Sequence, residues 1–144
     1  MFSSLKKQKK FRQNPLFFSL IIENSSRLIL YNGSALKKED GTVKISAYAE
    51  NRILHILLDG EIDEHNAATA RIEADGYIDD NAFCERVYFH LDRVSFMDST
   101  GIGFLIGRYK KLQRYGMKAY VVSPNQGADK VLSLSGIYTL IPKL

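Results

Sequence analysis

Apolar and polar positions along this chain follow two different periods, and the change from one to the other marks out the elements. From Val43, "VKISAY" alternates in the two-residue manner of a strand. A polar turn, Glu50-Asn51-Arg52, follows, and "ILHILLDG" resumes the alternation with Ile53, His55 and Leu57 on one face. The two runs predict a β-hairpin. In 60–80 the period lengthens. Ala67, Ala70, Ala74 and Ile78 make a helical stripe, and Asp63 is the expected N-cap. "RVYFHLD" (86–92) is a short run of β-formers and predicts a buried central strand. Ile102, Leu105, Ile106, Tyr109 and Leu112 recur at three- and four-residue steps, which predicts a helix from Ser99 to Tyr115 closed by Gly116. "MKAYVVS" is another strand of buried type. Ser123 as N-cap and Pro124 as the first helical residue predict a third helix ending at Gly136, and "IYTLIP" is the expected last strand. The order β-β-α-β-α-β-α-β predicts a single α/β domain. Its sheet is mixed but mostly parallel, because strands joined through single helices require right-handed crossovers.

Composition narrows this picture. A chain of 144 residues has room for one domain of ordinary size, and 45% hydrophobic with 25% charged residues fits a globular protein. The single cysteine, Cys84, excludes an intramolecular disulfide and a cysteine-based metal site. His55, His65 and His90 have no ligand-like spacing, so no metal is expected. These features suit a reducing cytoplasm.

The net charge of +4 has to be located before it is used. Residues 1–42 hold eight Lys/Arg and three Asp/Glu, while the remaining residues hold twelve and thirteen. The basicity therefore belongs to the N-terminal segment, and no nucleic-acid partner is expected for the rest. The apolar runs at 16–22 and 28–31 fall far short of the roughly 20 residues of a membrane span, so no membrane association is expected. Residues 1–42 are expected to be a weakly ordered extension. They also fit a translated leader: Lys37-Lys38-Glu39-Asp40 is encodable by a bacterial ribosome-binding sequence, a short gap ahead of Val43, which is encodable by an alternative start codon.

The segment "SFMDSTGIGFLIGRYK" (95–110) carries the candidate chemistry. A dinucleotide loop needs G-x-G-x-x-G, but after Gly101 and Gly103 the third position is Ile106, and no P-loop is present. These glycines are better suited to close backbone approach. No G-x-S-x-G elbow exists, and a nucleophilic Ser99 would need a base, for which His65 is the only candidate in a loop-like region. A serine at a helix start lies where backbone N–H groups are unpaired and the helix dipole favours negative charge. Ser99 is thus either the N-cap itself or a hydroxyl positioned to be phosphorylated by another protein.

Three segments carry a family resemblance: "LDGEIDEHNA" (58–67), "LDRVSFMDSTGIGFLIGRYKKL" (91–112) and "SLSGIYTLI" (133–141). Together they resemble the STAS domain of bacterial anti-sigma factor antagonists, nearest to those acting on the anti-sigma F factor of sporulation. The resemblance runs from about Val43 to the C-terminus. It implies a partner-switching protein rather than an enzyme, with no cofactor of its own. It implies phosphorylation of Ser99 by an ATP-dependent anti-sigma factor kinase that also binds ADP. The unphosphorylated form binds that kinase and frees the sigma factor, and a PP2C-type phosphatase resets the switch. Asp63 matches the family's loop aspartate beside the phosphosite. Glu61, His65, Asp98, Thr100, Gly101, Gly103, Phe104 and Arg108 are the further candidates for partner contact, with Thr100 as a minor alternative acceptor. Gly101, Gly103 and Phe104 are expected on an exposed helix start. Arg108, Lys110, Lys111 and Arg114 form a basic cluster, expected either to be solvated or to meet an acidic surface of the kinase. Family members usually carry a further C-terminal helix, which "IPKL" does not supply, leaving part of one sheet face uncovered. An antagonist in a general stress response, a nucleotide- or small-ligand-binding STAS module, and, last, a serine hydrolase are the alternatives.

Overall fold

A computed structural model describes residues 43–144; residues 1–42, and with them the leader or extension expected there, lie outside the described residues. The hairpin forms as expected. Strand β1 (Val43–Glu50) pairs antiparallel with β2 (Ile53–Ile62) across a turn in which Asn51 and Arg52 both take positive φ. Strand β3 (Arg86–Met97) lies parallel to β2, and β4 (Lys118–Val122) lies parallel to β3. The sheet order is β1-β2-β3-β4. Helices α1 (Ala67–Asp80), α2 (Ser99–Tyr115) and α3 (Gln126–Ser135) connect or follow the parallel strands.

One apolar cluster holds these elements together. Ile56 and Leu58 of β2, Phe89 and Leu91 of β3 and Val121 of β4 join Ala74 and Ile78 of α1, Phe104, Leu105 and Leu112 of α2, and Leu132 of α3. The strand residues all belong to one alternating set, so the helices share one face of the sheet. The stripe read for α1 is the one that is buried: Ala67, Ala70, Ala74 and Ile78. Gly116 closes α2 at φ 74° and Gly136 closes α3 at φ 78°, the left-handed conformation that glycine adopts without strain.

Four local expectations are corrected. β3 does not stop at residue 92 but runs to Met97, through two register shifts opposite β2. Each shift inserts one extra residue into β3, so its buried positions leave the two-residue period and fall at Leu91, Val94 and Met97. Asp63 does not cap α1. The helix starts after Asn66, and the Asp63 carboxylate instead accepts from the backbone N–H of His65 (2.9 Å) and Asn66 (3.3 Å), closing the turn that precedes the helix. Nor does Ser123 cap α3. Asn125 does, accepting from the N–H of Ala128 at 2.9 Å, while its amide donates to the Val94 carbonyl of β3. Finally, "IYTLIP" is not a strand. Ile137–Thr139 is a 3-10 turn, and Ile137 and Ile141 are both buried at a four-residue spacing that a turn satisfies. The segment beyond it bonds to the sheet: Val121 N–H donates to the Pro142 carbonyl and Leu144 N–H donates to the Val121 carbonyl, each at 2.9 Å.

Candidate functional site

The register of β2 and β3 assembles the site. Ile62 pairs with Met97 at the end of both strands, and Glu61 pairs with Phe96 one step earlier. The next residues along each chain are Asp63 and Asp98. Two parallel strands thus release their following loops side by side, at the carboxyl edge where α/β sheets generally place their sites. Asp63, Asp98 and Ser99 are thereby brought to one edge of the molecule.

At the start of α2 the capping role falls to Asp98. Its backbone is extended, and its carboxylate accepts from the N–H of Thr100 at 2.8 Å. The Asp98 carbonyl accepts from Gly101 (2.9 Å) and Ile102 (3.3 Å). Of the two readings of Ser99, the N-cap is thereby excluded. Ser99 is the first helical residue, it is exposed, and the capping bond that would occupy its hydroxyl is made by its neighbour.

The candidate residues divide by exposure. Ser99 and Gly103, one helical turn apart, are exposed, and nothing lies within 4 Å of where a Gly103 Cβ would stand. Glu61, Asp63, Asp98 and Thr100 are half-buried, and His65 is exposed. Gly101 does not lie on the surface. A Cβ there would stand 2.4 Å from Met97 Cγ and 3.4 Å from Ile62 Cγ2, so the missing side chain lets α2 pack on the ends of β2 and β3. The close approach made possible is therefore to side chains, not to another backbone. Phe104 is also not at the surface but wholly within the core.

Arg108 departs furthest from expectation. It is only 6% exposed and forms a buried ion pair with Asp75 of α1, Nε to Oδ1 at 2.7 Å though poorly aligned for a hydrogen bond. Its Nη1 donates to the Phe104 carbonyl at 3.1 Å, and its guanidinium lies over the Phe104 ring. Burial works against its charge and lowers its pKa; Asp75 offsets that effect. Lys111 pairs with Asp79 at 2.9 Å, one turn along both helices. Half of the expected basic cluster therefore ties α2 to α1, and Lys110 and Arg114 remain exposed.

One feature of the edge escaped the sequence reading. Phe96, three residues before Ser99, is 49% exposed. Its exposure follows from the register shifts in β3, which turn it outward although it sits among apolar residues. Chemically the edge is well suited to receiving a group and poorly suited to activating one. His65 Nδ1 stands 3.9 Å from Asp63 Oδ1, with a side chain 83% exposed, and among the described residues no imidazole hydrogen-bonds Ser99. No group of three or more metal-ligating side chains gathers among the described residues. Cys84 is buried, which pushes its thiol up to about 11.

A four-stranded sheet with its helices on one face, and a capped helix start beside an aspartate loop, define a class of α/β domain. A model of the STAS domain matches residues 44–144, and the chain belongs to the STAS domain family. An anti-sigma F factor antagonist of Paenibacillus polymyxa is 32% identical over 90 residues, covering 62% of this chain and 76% of that protein. The structure of the anti-sigma factor antagonist SpoIIAA in its unphosphorylated form matches with a TM-score of 0.58 at 25% identity, covering 69% of this chain and 87% of that one. The Bacillus cell fate determinant SpoIIAA in its phosphorylated form matches with a TM-score of 0.53, also at 25% identity, covering 69% and 90%. Among the described residues no helix is long and apolar enough to cross a membrane.

Proposed function

We propose that this protein is an anti-sigma factor antagonist of the cytoplasm, switched by phosphorylation of Ser99. The unphosphorylated form binds an anti-sigma factor that is also an ATP-dependent serine kinase, and so releases the sigma factor. The kinase then phosphorylates Ser99, and a PP2C-type phosphatase restores the hydroxyl. The likeness to the sigma F antagonist of Paenibacillus polymyxa favours the sporulation pathway. The observation that carries this reading is the division of labour between Asp98 and Ser99. Because Asp98 caps the helix, the Ser99 hydroxyl can be esterified without costing α2 its cap.

Magnitudes say how the switch works. A phosphoryl group brings about −1.5 to −2 charge units at neutral pH. A like-charge pair about 4 Å apart costs roughly 4 kcal/mol at an effective dielectric of 20. The helix end returns only ~0.3–1 kcal/mol. Asp98 and Asp63 at the same edge add to the repulsion. The modification therefore opposes docking by charge and bulk at the surface, with little change in the fold. Each ~1.4 kcal/mol is a tenfold change in affinity, so one such pair suffices to release the partner.

Incubating the protein with the anti-sigma kinase and ATP, then mapping the modified residue by mass spectrometry, tests the reading. Phosphate on Ser99, with weaker binding of the modified form, is expected. Equal affinity of the two forms for the kinase, or modification confined to other residues, would overturn it.

A further inference from the structure

The sheet face opposite the helices carries a row of rings that the α2 edge does not use. Tyr48, His55, Tyr88 and Tyr120, one from each strand, are direct cross-strand neighbours. Tyr48 stacks on His55 with ring centroids 4.5 Å apart, and Tyr88 meets His55 edge-on at 5.3 Å. His90 lies in the adjoining row, opposite Leu57. It brings its Nε2 to 2.9 Å from Nδ1 of His55. Both imidazoles are half-buried.

We propose that His55 and His90 form a binding site for a late first-row divalent cation such as Ni2+ or Zn2+, held by Nδ1 of His55 and Nε2 of His90. Imidazole nitrogen is the ligand type these ions favour. Two ring nitrogens at about 2.0–2.1 Å from one ion, and at right angles about it, stand about 2.9 Å apart. That is the separation present. A tetrahedral ion needs the rings to part by about half an ångström, a small side-chain adjustment.

Two further observations support the site. The packing of Tyr48 and Tyr88 against His55 restrains its ring, so less order has to be imposed on binding. Glu50 acts electrostatically on His55 and Asp92 on His90, and both carboxylates favour a cation. Between two neutral rings a single N–H bridges the 2.9 Å gap. On metal binding the ring that donated it carries its proton on the other nitrogen, so the exchange releases no net proton. With two protein ligands, water completes the coordination. The site lies on the sheet face opposite the three described helices and well before the end of β3, so its fate is independent of the Ser99 reading.

Titrating the full chain with NiCl2 while following the histidine ring resonances by NMR tests the proposal, with MgCl2 as the hard-cation control. Ni2+ should broaden His55 and His90 before His65, and Mg2+ should leave all three unchanged. His55→Gln and His90→Gln should each weaken binding by about tenfold or more, at least the loss seen when a group that merely supports a ligand is removed. His65→Gln should change nothing. Broadening that begins at His65, that survives in both single variants, or that Mg2+ reproduces would overturn the site. Should either variant fail to fold, the order of broadening in the unsubstituted protein decides.

Discussion

The two halves of α2 are built in opposite ways. From Phe104 to Leu112 the helix is locked in place. Phe104, Leu105 and Leu112 are wholly buried, and Arg108 and Lys111 hold α1 through Asp75 and Asp79. From Ser99 to Gly103 only Gly101 is fully buried, with Ile102 packed partly against the core, and the turn is held by one capping carboxylate and the ends of two strands. A helix anchored by its middle can accept a charge at its exposed start without disturbing what anchors it. A signalling modification needs that arrangement: a large change in surface charge and a small change in stability.

Substitutions along α2 should trace this division, beginning with the largest effect. Phe104→Ala empties a fully buried aromatic site and should cost about 3–5 kcal/mol of folding stability, read by urea denaturation. A cost below 1 kcal/mol would mean that the helix middle is not the anchor. Asp75→Ala leaves the Arg108 guanidinium buried without its partner. Because Asp75 is itself partly exposed, the cost should lie below the roughly 3–5 kcal/mol of fully buried pairs, at about 2–3 kcal/mol. Restoring the carboxylate as Asp75→Glu should recover part of it.

At the helix start the expected costs fall. Asp98→Ala removes the cap and should destabilise by about 0.5–2 kcal/mol. Ser99→Ala should change stability by no more than about 0.5 kcal/mol, as is usual for exposed positions, while abolishing phosphorylation. If the two results were exchanged, with Ser99→Ala costly and Asp98→Ala silent, then Ser99 would be the cap and the contrast drawn here would collapse. Ser99→Asp sharpens it further. It should weaken binding to the kinase less than phosphate does, because it carries about one charge in place of nearly two, and it should leave the thermal midpoint of unfolding nearly unchanged.

Much of the architecture was legible in the pattern of apolar residues. The buried stripe of α1, the extent of α2 and the two terminating glycines follow from spacing alone, because helix period and left-handed caps are local properties. The missed features depend on partners distant in sequence. Arg108 reads as a surface cation until Asp75, 33 residues earlier, is brought against it. Phe104 reads as a surface residue from its position along α2, whereas its angular position around the helix buries it. β3 reads as ending at Asp92, where its alternation breaks, and only the pairing with β2 shows that extra residues continue the strand. The identity of the capping residue was ambiguous because Asp98 and Ser99 are adjacent and chemically suited to the same role. The Ser99 neighbourhood stood out less from its own spacing than from the family resemblance of its motif.

The two extra residues in β3 set the phase of everything that follows. Met97 must face inward for Gly101 to seat upon it, and Asp98 and Ser99 follow at fixed steps. Shortening 92–96 by one residue would turn Met97 toward water and swing the hydroxyl off its edge, although Asp92, Arg93 and Ser95 are all exposed. Apart from the buried Val94, this stretch should therefore be permissive to substitution and unforgiving of changes in length, so that its residue count, more than its chemistry, aims Ser99.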